Sequence, residues 1–356
     1  MRNLLPTLAL LTFAVTTHLS AQTEVVVGVM RGKDYGVTYQ LPKTEIAISV
    51  TLTKHSYTPG DFCRYADKYL RLGKPASDAE EWWTMDKVTT SVVGVPDAEH
   101  TYFVKLKDKS TAPLMELTED GIVRSINIPY SSKSKETEKP QSEVTPTTSL
   151  PDPHAYFTEE MLMAGSSAKL AELVAKEIYS IRESKSALNR GEADYMPTDG
   201  AQLKLMLENL DTQEQALTSM FMGQTTQETS TITVRIEPQE MQDEVAFRFS
   251  KKLGLLDSDD LAGEPIYISL SNLNTVAPTA TYEEEGKKVD GVAYNVPGRA
   301  QVSISYGKQQ LFSGELPITQ FGTTEYLSAV LFNKNTTTQV LFDTATGGLL
   351  KVDRAE

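Results

Sequence analysis

The chain has 356 residues and carries 48 Asp and Glu against 34 Lys and Arg, a formal net charge of −14. That balance, with no basic stripe along the chain, argues against nucleic acid as a partner. The only cysteine, Cys63, excludes an intramolecular disulfide, and the length is enough for two or three domains with cores of their own.

Residues 1–21 read as an export signal. Arg2 supplies the positive start, an apolar stretch from Leu4 to Val15 follows, and Leu19-Ser20-Ala21 forms a small-residue cleavage site. Removing it leaves 33 − 48 = −15 formal charges. The apolar stretch is broken by Pro6 and is shorter than the roughly 20 residues of a membrane span. No later segment approaches that length, so no transmembrane segment is expected.

Residues 22–130 are expected to form an N-terminal β module. A Val-rich run at 24–30 and the alternation of Ile46, Ile48, Val50 and Leu52 over 45–57 predict strands. Tyr57-Thr58-Pro59-Gly60 predicts a turn. Asp61 stands where it can cap a short inserted helix with Phe62, Tyr65, Ala66, Tyr69 and Leu70 at helical spacing. Further strands are predicted near 85–95, 101–107, 113–118 and 122–128. Cys63 lies on the apolar side of the short helix, where a packed thiol is expected.

Residues 131–156, rich in Ser, Thr, Lys, Glu and Pro, lack the apolar content needed to bury a core and read as a linker. Residues 157–223 predict an antiparallel helical hairpin. Thr158 caps a first long helix whose stripe is Leu170, Leu173, Val174, Ile178, Ile181 and Leu188, closed by Gly191. Thr198-Asp199 opens a second, with Leu203, Met206, Leu210, Leu217 and Phe221, closed by Gly223.

Residues 224–356 predict a C-terminal β-sandwich module, with strands near 229–236, 243–250, 266–270, 299–306, 309–315, 324–332, 338–343 and 349–352. The fold class is thus α+β: two antiparallel β-sandwich-like modules flanking a long antiparallel helical hairpin. The modules echo each other. Gly36-Val37-Thr38-Tyr39-Gln40-Leu41-Pro42 returns as Gly291-Val292-Ala293-Tyr294-Asn295-Val296-Pro297, and Thr118-Glu119-Asp120-Gly121 returns as Thr344-Ala345-Thr346-Gly347.

Several further segments carry a resemblance. Pro59-Gly60-Asp61-Phe62 with Tyr65-Ala66-Asp67-Lys68-Tyr69-Leu70, the helix text Glu177-Ile178-Tyr179-Ser180-Ile181-Arg182-Glu183, Pro197-Thr198-Asp199-Gly200 and Val296-Pro297-Gly298-Arg299-Ala300 resemble an exported protein family of Bacteroides-like bacteria. That family is filed only as a domain of unknown function. The resemblance spans nearly all the chain after residue 21 and implies an exported envelope protein. It transfers no catalytic role.

Catalytic chemistry has few candidates. Beyond the signal only His55, His100 and His154 could serve as imidazole bases, and there is no Gly-x-Ser-x-Gly elbow, no His-Glu-x-x-His and no phosphate-cradling glycine loop. No catalytic residue, cofactor or metal is therefore expected. Asp257-Ser258-Asp259-Asp260 with Glu264 departs from the calcium-loop pattern and reads as a solvated turn. Glu80-Glu81-Trp82-Trp83 sets aromatics beside carboxylates; Trp82 and Trp83 are the candidate carbohydrate or partner contacts, although paired Trp also closes sheet edges. Asp343-Thr344-Ala345 fits a short O-glycan acceptor pattern at a turn.

The expected role is a non-enzymatic binding or scaffolding protein in the periplasm or at the outer membrane, with an envelope protein as partner. The alternatives are a carboxylate-based enzyme acting on glycan or peptidoglycan, and a carbohydrate-binding protein.

Overall fold

A computed structural model describes residues 36–105, 115–128, 150–197, 199–277, 291–328 and 338–354. The export signal, the strand expected at 24–30, most of the linker and Thr198 lie outside the described residues.

Two long antiparallel hairpins organise the molecule. In the first, β1 (Gly36–Thr58) runs into a 3-10 turn (Cys63–Tyr65) and a short helix α1 (Ala66–Leu70), then returns as β2 (Glu80–Lys105). β3 (Met115–Leu117) and β4 (Val123–Ile126) follow. The helical part comprises α2 (Glu159–Leu162), α3 (Ser167–Arg190) and α4 (Gly200–Met222). Then come β5 (Gln224–Ile236), β6 (Met241–Ser250), β7 (Gly254–Leu256), β8 (Glu264–Asn272) and the second long hairpin, β9 (Gly291–Tyr306) with β10 (Gln309–Ser328). β11 (Thr338–Phe342) and β12 (Leu349–Arg354) close the chain. Within the described residues the strands predicted at 85–95 and 101–107 are one element, as are those at 309–315 and 324–332, because the irregularities between them interrupt the ladder without ending it.

The strands form three sheets, of order β2-β1-β5, β10-β9-β8-β6-β7 and β12-β11-β4-β3. All pairings between these strands are antiparallel. Here the two-module expectation needs correction. Ile46, Ile48, Val50 and Leu52 on β1 pack against Phe247, Ile266, Ile268, Val302 and Ile304 of the five-stranded sheet in one core. β5 pairs with β1 from Ile46↔Ile236 to Thr58↔Gln224, and β4 pairs with β11 at Val340↔Ile126. The period-two pattern identifies a buried face but not what covers it, and each half covers the other. Chain ends separated by more than 200 residues thus contribute to one sandwich.

The sequence echo is structural. Tyr39 and Tyr294 both stand fourth in the first strand of a long hairpin, Tyr39 buried and Tyr294 half-buried, and each hairpin is interrupted nearby, one residue later in the second copy, by one residue opposed by four. Leu41 stands between the pairs Gln40↔Thr101 and Pro42↔Pro96, opposite residues 97–100. Pro297 stands between Val296↔Thr323 and Gly298↔Ile318, opposite residues 319–322. The closing turns dock alike: Gln40 N donates to Gly121 O at 3.0 Å and Asn295 N to Gly347 O at 3.1 Å. Both glycines hold φ near +80 (85° and 71°), a region where other residues are strained. The copies also clasp each other. Tyr39 Oη accepts from Ala293 N (2.8 Å) and donates to Ala293 O (3.2 Å), while Thr44 and Thr319 exchange backbone-to-hydroxyl bonds at 2.9 and 3.2 Å.

The helices add a second core. Phe62, Ala66 and Leu70 pack with Ala171, Val174, Ile178, Leu217 and Phe221. Phe62, not Asp61, precedes the 3-10 turn, and its N–H is held by Met220 O at 2.7 Å. Thr158 caps only α2; a new cap, Ser166, starts α3 after Gly165. Asp199, Gly191 and Gly223 cap as expected. Arg182 and Lys185 of α3 reach Glu214 at 2.6 and 2.7 Å, and Lys185 also meets Asp211, which orients the helices antiparallel. Packing is partial: in α4 the buried residues fall between Ala216 and Phe221, whereas Leu205 near its start is exposed. The end of the expected linker, residues 153–156, forms a 3-10 turn whose Tyr156 joins this core.

Candidate functional site

Neighbouring residues on a strand point to opposite faces, and β2 separates Trp82 from Trp83 accordingly. Trp83 packs onto the sandwich core, its ring covers Gly254, and its backbone N–H donates to Lys251 O at 2.7 Å. It closes the edge between the two large sheets. Trp82 stands on the outer face, half-buried and stacked on the cross-strand His55 at 5.1 Å and 4°. The two indoles therefore do not form one aromatic platform.

That outer face of the three-stranded sheet is a hydroxyl ladder. Ser49 pairs with Thr233 at 3.2 Å, Thr51 with Thr231 at 3.3 Å and Thr53 with Thr229 at 3.0 Å. Thr53 also donates to Asp86 Oδ2 at 2.5 Å, and Thr84 to Asp86 Oδ1 at 3.0 Å. Its polar groups are largely spent on one another.

The outer face of the five-stranded sheet is built differently. Ser269 lies beside Ser303, which lies beside Ser313; Ser271 lies beside Gln301, which lies beside Glu315. Along β6 the register slips between Met241↔Leu270 and Glu244↔Ile268, so that Gln242 and Asp243 together oppose Ser269. This bulge forces Asp243 to a left-handed φ of 53°. Ser269 fixes the conformation: its hydroxyl accepts from Asp243 N at 2.9 Å and donates to Asp243 Oδ1 at 3.0 Å. The strand is lifted at that point, and a groove of about 410 Å³ opens, lined by Glu240, Gln242, Ser269, Ser271, Gln301 and Ser303. Its volume is within the usual range for small-molecule sites. Gln301 Nε2 donates to Ser313 Oγ at 3.0 Å, while among the described residues the side chains of Gln242, Ser271 and Ser303 have no protein partner.

A second hollow of about 330 Å³ adjoins the repeated motif, between Asn295, Pro297, Asp343 and Leu349. Its polar groups hold the fold. Asn295 Nδ2 donates to Pro42 O and Thr346 O, and Asp343 accepts from Ala345 N and Thr346 Oγ1. The glycan-acceptor triplet Asp343-Thr344-Ala345 is thus a packed turn, and a Cβ on Gly94 would lie 2.3 Å from Thr344 O.

The remaining candidates are scattered. His100 pairs with Asp97 at 2.8 Å and His154 with Asp152 at 2.7 Å, and His55 meets Thr84 at 3.0 Å. Glu264 is drawn away from the Asp257–Asp260 turn by Tyr306, whose hydroxyl donates to it at 2.6 Å. Hydrogen bonding to that carboxylate, with burial, pushes the Tyr306 phenol up to about 12. Burial and then Glu325 push Tyr294 up to about 12. Asp152 is lowered by its bonds from His154, and Glu172 by Lys176 and Lys169. Burial pushes Glu214 up, but hydrogen bonds from Lys185 and Arg182 outweigh it and hold the carboxyl low. Among the described residues no three His, Cys, Asp or Glu gather as a metal site, and no helix is long and apolar enough to cross a membrane. Cys63 is half-buried.

The groove residues were not singled out from the sequence. Their signal is the alternation of apolar with uncharged polar residues in Tyr267-Ile268-Ser269-Leu270-Ser271 and Gln301-Val302-Ser303-Ile304-Ser305. An ordinary solvent face would carry charges at several of those positions.

Residues 35–350 match the family model described as a domain of unknown function, DUF4831. No curated protein and no solved structure matches the chain.

Proposed function

The chain belongs to the DUF4831 family, and we propose that this member is an exported, non-enzymatic binding or scaffolding protein of the bacterial cell envelope. The observation that carries the reading is the groove over β6, β8 and β9. A bulge locked by a reciprocal Ser269–Asp243 bond pair presents fixed hydrogen-bonding side chains, and no imidazole stands beside its serines. Binding requires such a preorganised array; nucleophilic catalysis requires in addition a base aimed at the hydroxyl. A glycosidase also needs a carboxyl group held protonated. The three carboxylates whose titration is displaced, Asp152, Glu172 and Glu214, all move the other way.

A protein partner in the envelope fits the far end of the helical part, where Tyr195, Met196 and Leu205 leave apolar surface exposed. Mild cross-linking followed by purification from envelope fractions tests the role. A stoichiometric protein partner is expected, and recovery as a lone monomer contradicts the scaffolding reading. N-terminal sequencing of the exported protein should begin at Gln22.

A further inference from the structure

We propose that the groove over β6, β8 and β9 is a binding site for a short neutral saccharide chain, an inference that rests on the binding reading above. Four observations select this ligand class.

Met241 and Leu270 at its base are only 8% and 2% exposed, so these two side chains give an apolar ligand little to bury. The exposed lining is more apolar than polar, and its polar groups are the Glu240 carboxylate and the side chains of Gln242, Ser269, Ser271, Gln301 and Ser303, of which Ser269 already bonds to Asp243. The carboxamides and the hydroxyls of Ser271 and Ser303 can both donate and accept. A ligand carrying hydroxyls that also do both matches them, whereas a ligand with acceptors only would leave the donors of the site in competition for it.

Charge excludes anions. Among the described residues the charged groups near the groove are Glu240, Asp243, Glu244 and, across the strip, Glu315; of the cations on this face, Arg299 pairs with Glu315 at 3.1 Å and Arg248 is held by the carbonyls of Ser258 and Gly263. Among the described residues, phosphates and uronic acids would meet mostly carboxylates at the groove. A cationic ligand finds exposed carboxylates, where ion pairing contributes little.

The site is also built to hold its shape. Asp243 is kept in a left-handed conformation that is costly for a residue with a side chain, and its reciprocal bonds with Ser269 retain it. Fixed geometry lowers the entropy lost on binding. The rows Ser271-Gln301-Glu315 and Ser269-Ser303-Ser313 each cross three strands, about 10 Å, which accommodates a short chain laid across the sheet.

Isothermal titration of the full exported protein with cellotetraose, N-acetylglucosamine tetramer and mannotetraose, with tetragalacturonate as the anionic control, tests the assignment. The mixtures are then analysed by mass spectrometry. At least one neutral tetrasaccharide is expected to bind and to be recovered intact. Gln301→Ala and Gln242→Ala should each weaken that binding at least tenfold with an unchanged circular dichroism spectrum, while Thr231→Ala on the opposite face leaves it unchanged. Binding of none of the neutral chains, binding of tetragalacturonate alone, or binding lost in Trp82→Ala but kept in the groove variants overturns the proposal. Binding with cleavage would leave the saccharide site standing and remove the non-enzymatic reading.

Discussion

The sandwich has two polar outer faces made of nearly the same residue types, and they differ in what those residues do. On the three-stranded sheet, Ser49, Thr51 and Thr53 meet Thr233, Thr231 and Thr229 in register, and the hydroxyls satisfy each other across the strands. On the five-stranded sheet a two-residue bulge at Gln242 and Asp243 spoils the register with β8, and a groove opens beside Gln242, Ser271 and Ser303, whose side chains bond to nothing among the described residues. Hydroxyls matched across strands on the first face satisfy one another, whereas on the second Ser271 and Ser303 face partners they do not bond. Composition alone does not separate a finished surface from a binding one.

The comparison can be broken first at the core both faces share. Ile48 and Ile268 are buried on opposite sides of it. Ile48→Ala and Ile268→Ala should each cost about 2–5 kcal/mol, and chemical denaturation followed by Trp fluorescence should show one transition for the sandwich. Two separate transitions, each shifted by only one of the substitutions, would mean that the halves fold independently.

Next come the locks on each face. Asp243→Ala keeps a side chain at a left-handed position and removes the acceptor for Ser269, so a loss of about 1–2 kcal/mol is expected. Saccharide binding should fall with it. Thr53→Val removes the bonds of a buried hydroxyl to Asp86 Oδ2 and Thr229 and should cost about 1 kcal/mol, without effect on the groove. Ser271→Ala should change stability by less than about 0.5 kcal/mol, since its hydroxyl bonds to nothing in the described residues. Equal losses at Thr53 and Ser271 would erase the distinction between the faces.

The smallest effect is alkaline. Tyr294 and Tyr306 titrate near 12 in the folded protein against about 10 in an unfolded chain. Between those values the unfolded state has released protons that the native state retains, so stability falls as pH rises from about 10 to 12. The contribution is fully present below 10. Tyr306→Phe should flatten the slope of stability against pH in that window, and an unchanged slope would show that Glu264 does not hold the phenol protonated.

Much of the fold was legible because its chemistry is local. Glycine, tyrosine and proline at fixed spacing marked the repeated hairpin, since Gly121 and Gly347 need left-handed backbone and the interruption recurs beside Pro42 and Pro297. Gly191, Asp199 and Gly223 marked the helix ends. What stayed hidden is non-local. The alternation in β1 identified its buried face but could not reveal that β5, β8 and β9 would cover and flank it. The bulge at Asp243 depends on register against a strand 26 residues away in sequence, and the groove exists only because of that slip. Thr158 misled because a capping residue announces a helix start without its length; the first turn ended at Leu162, capped by Met163, and Ser166 began the long helix.

The most direct test is a map of amide chemical shifts of the isotope-labelled protein during titration with the tetrasaccharide that binds. Perturbations confined to Gln242, Asp243, Ser269, Ser271, Gln301 and Ser303 are the predicted result. Perturbations centred on Thr51, Thr231 and Trp82, with the groove silent, would contradict the division between a closed face and an open one.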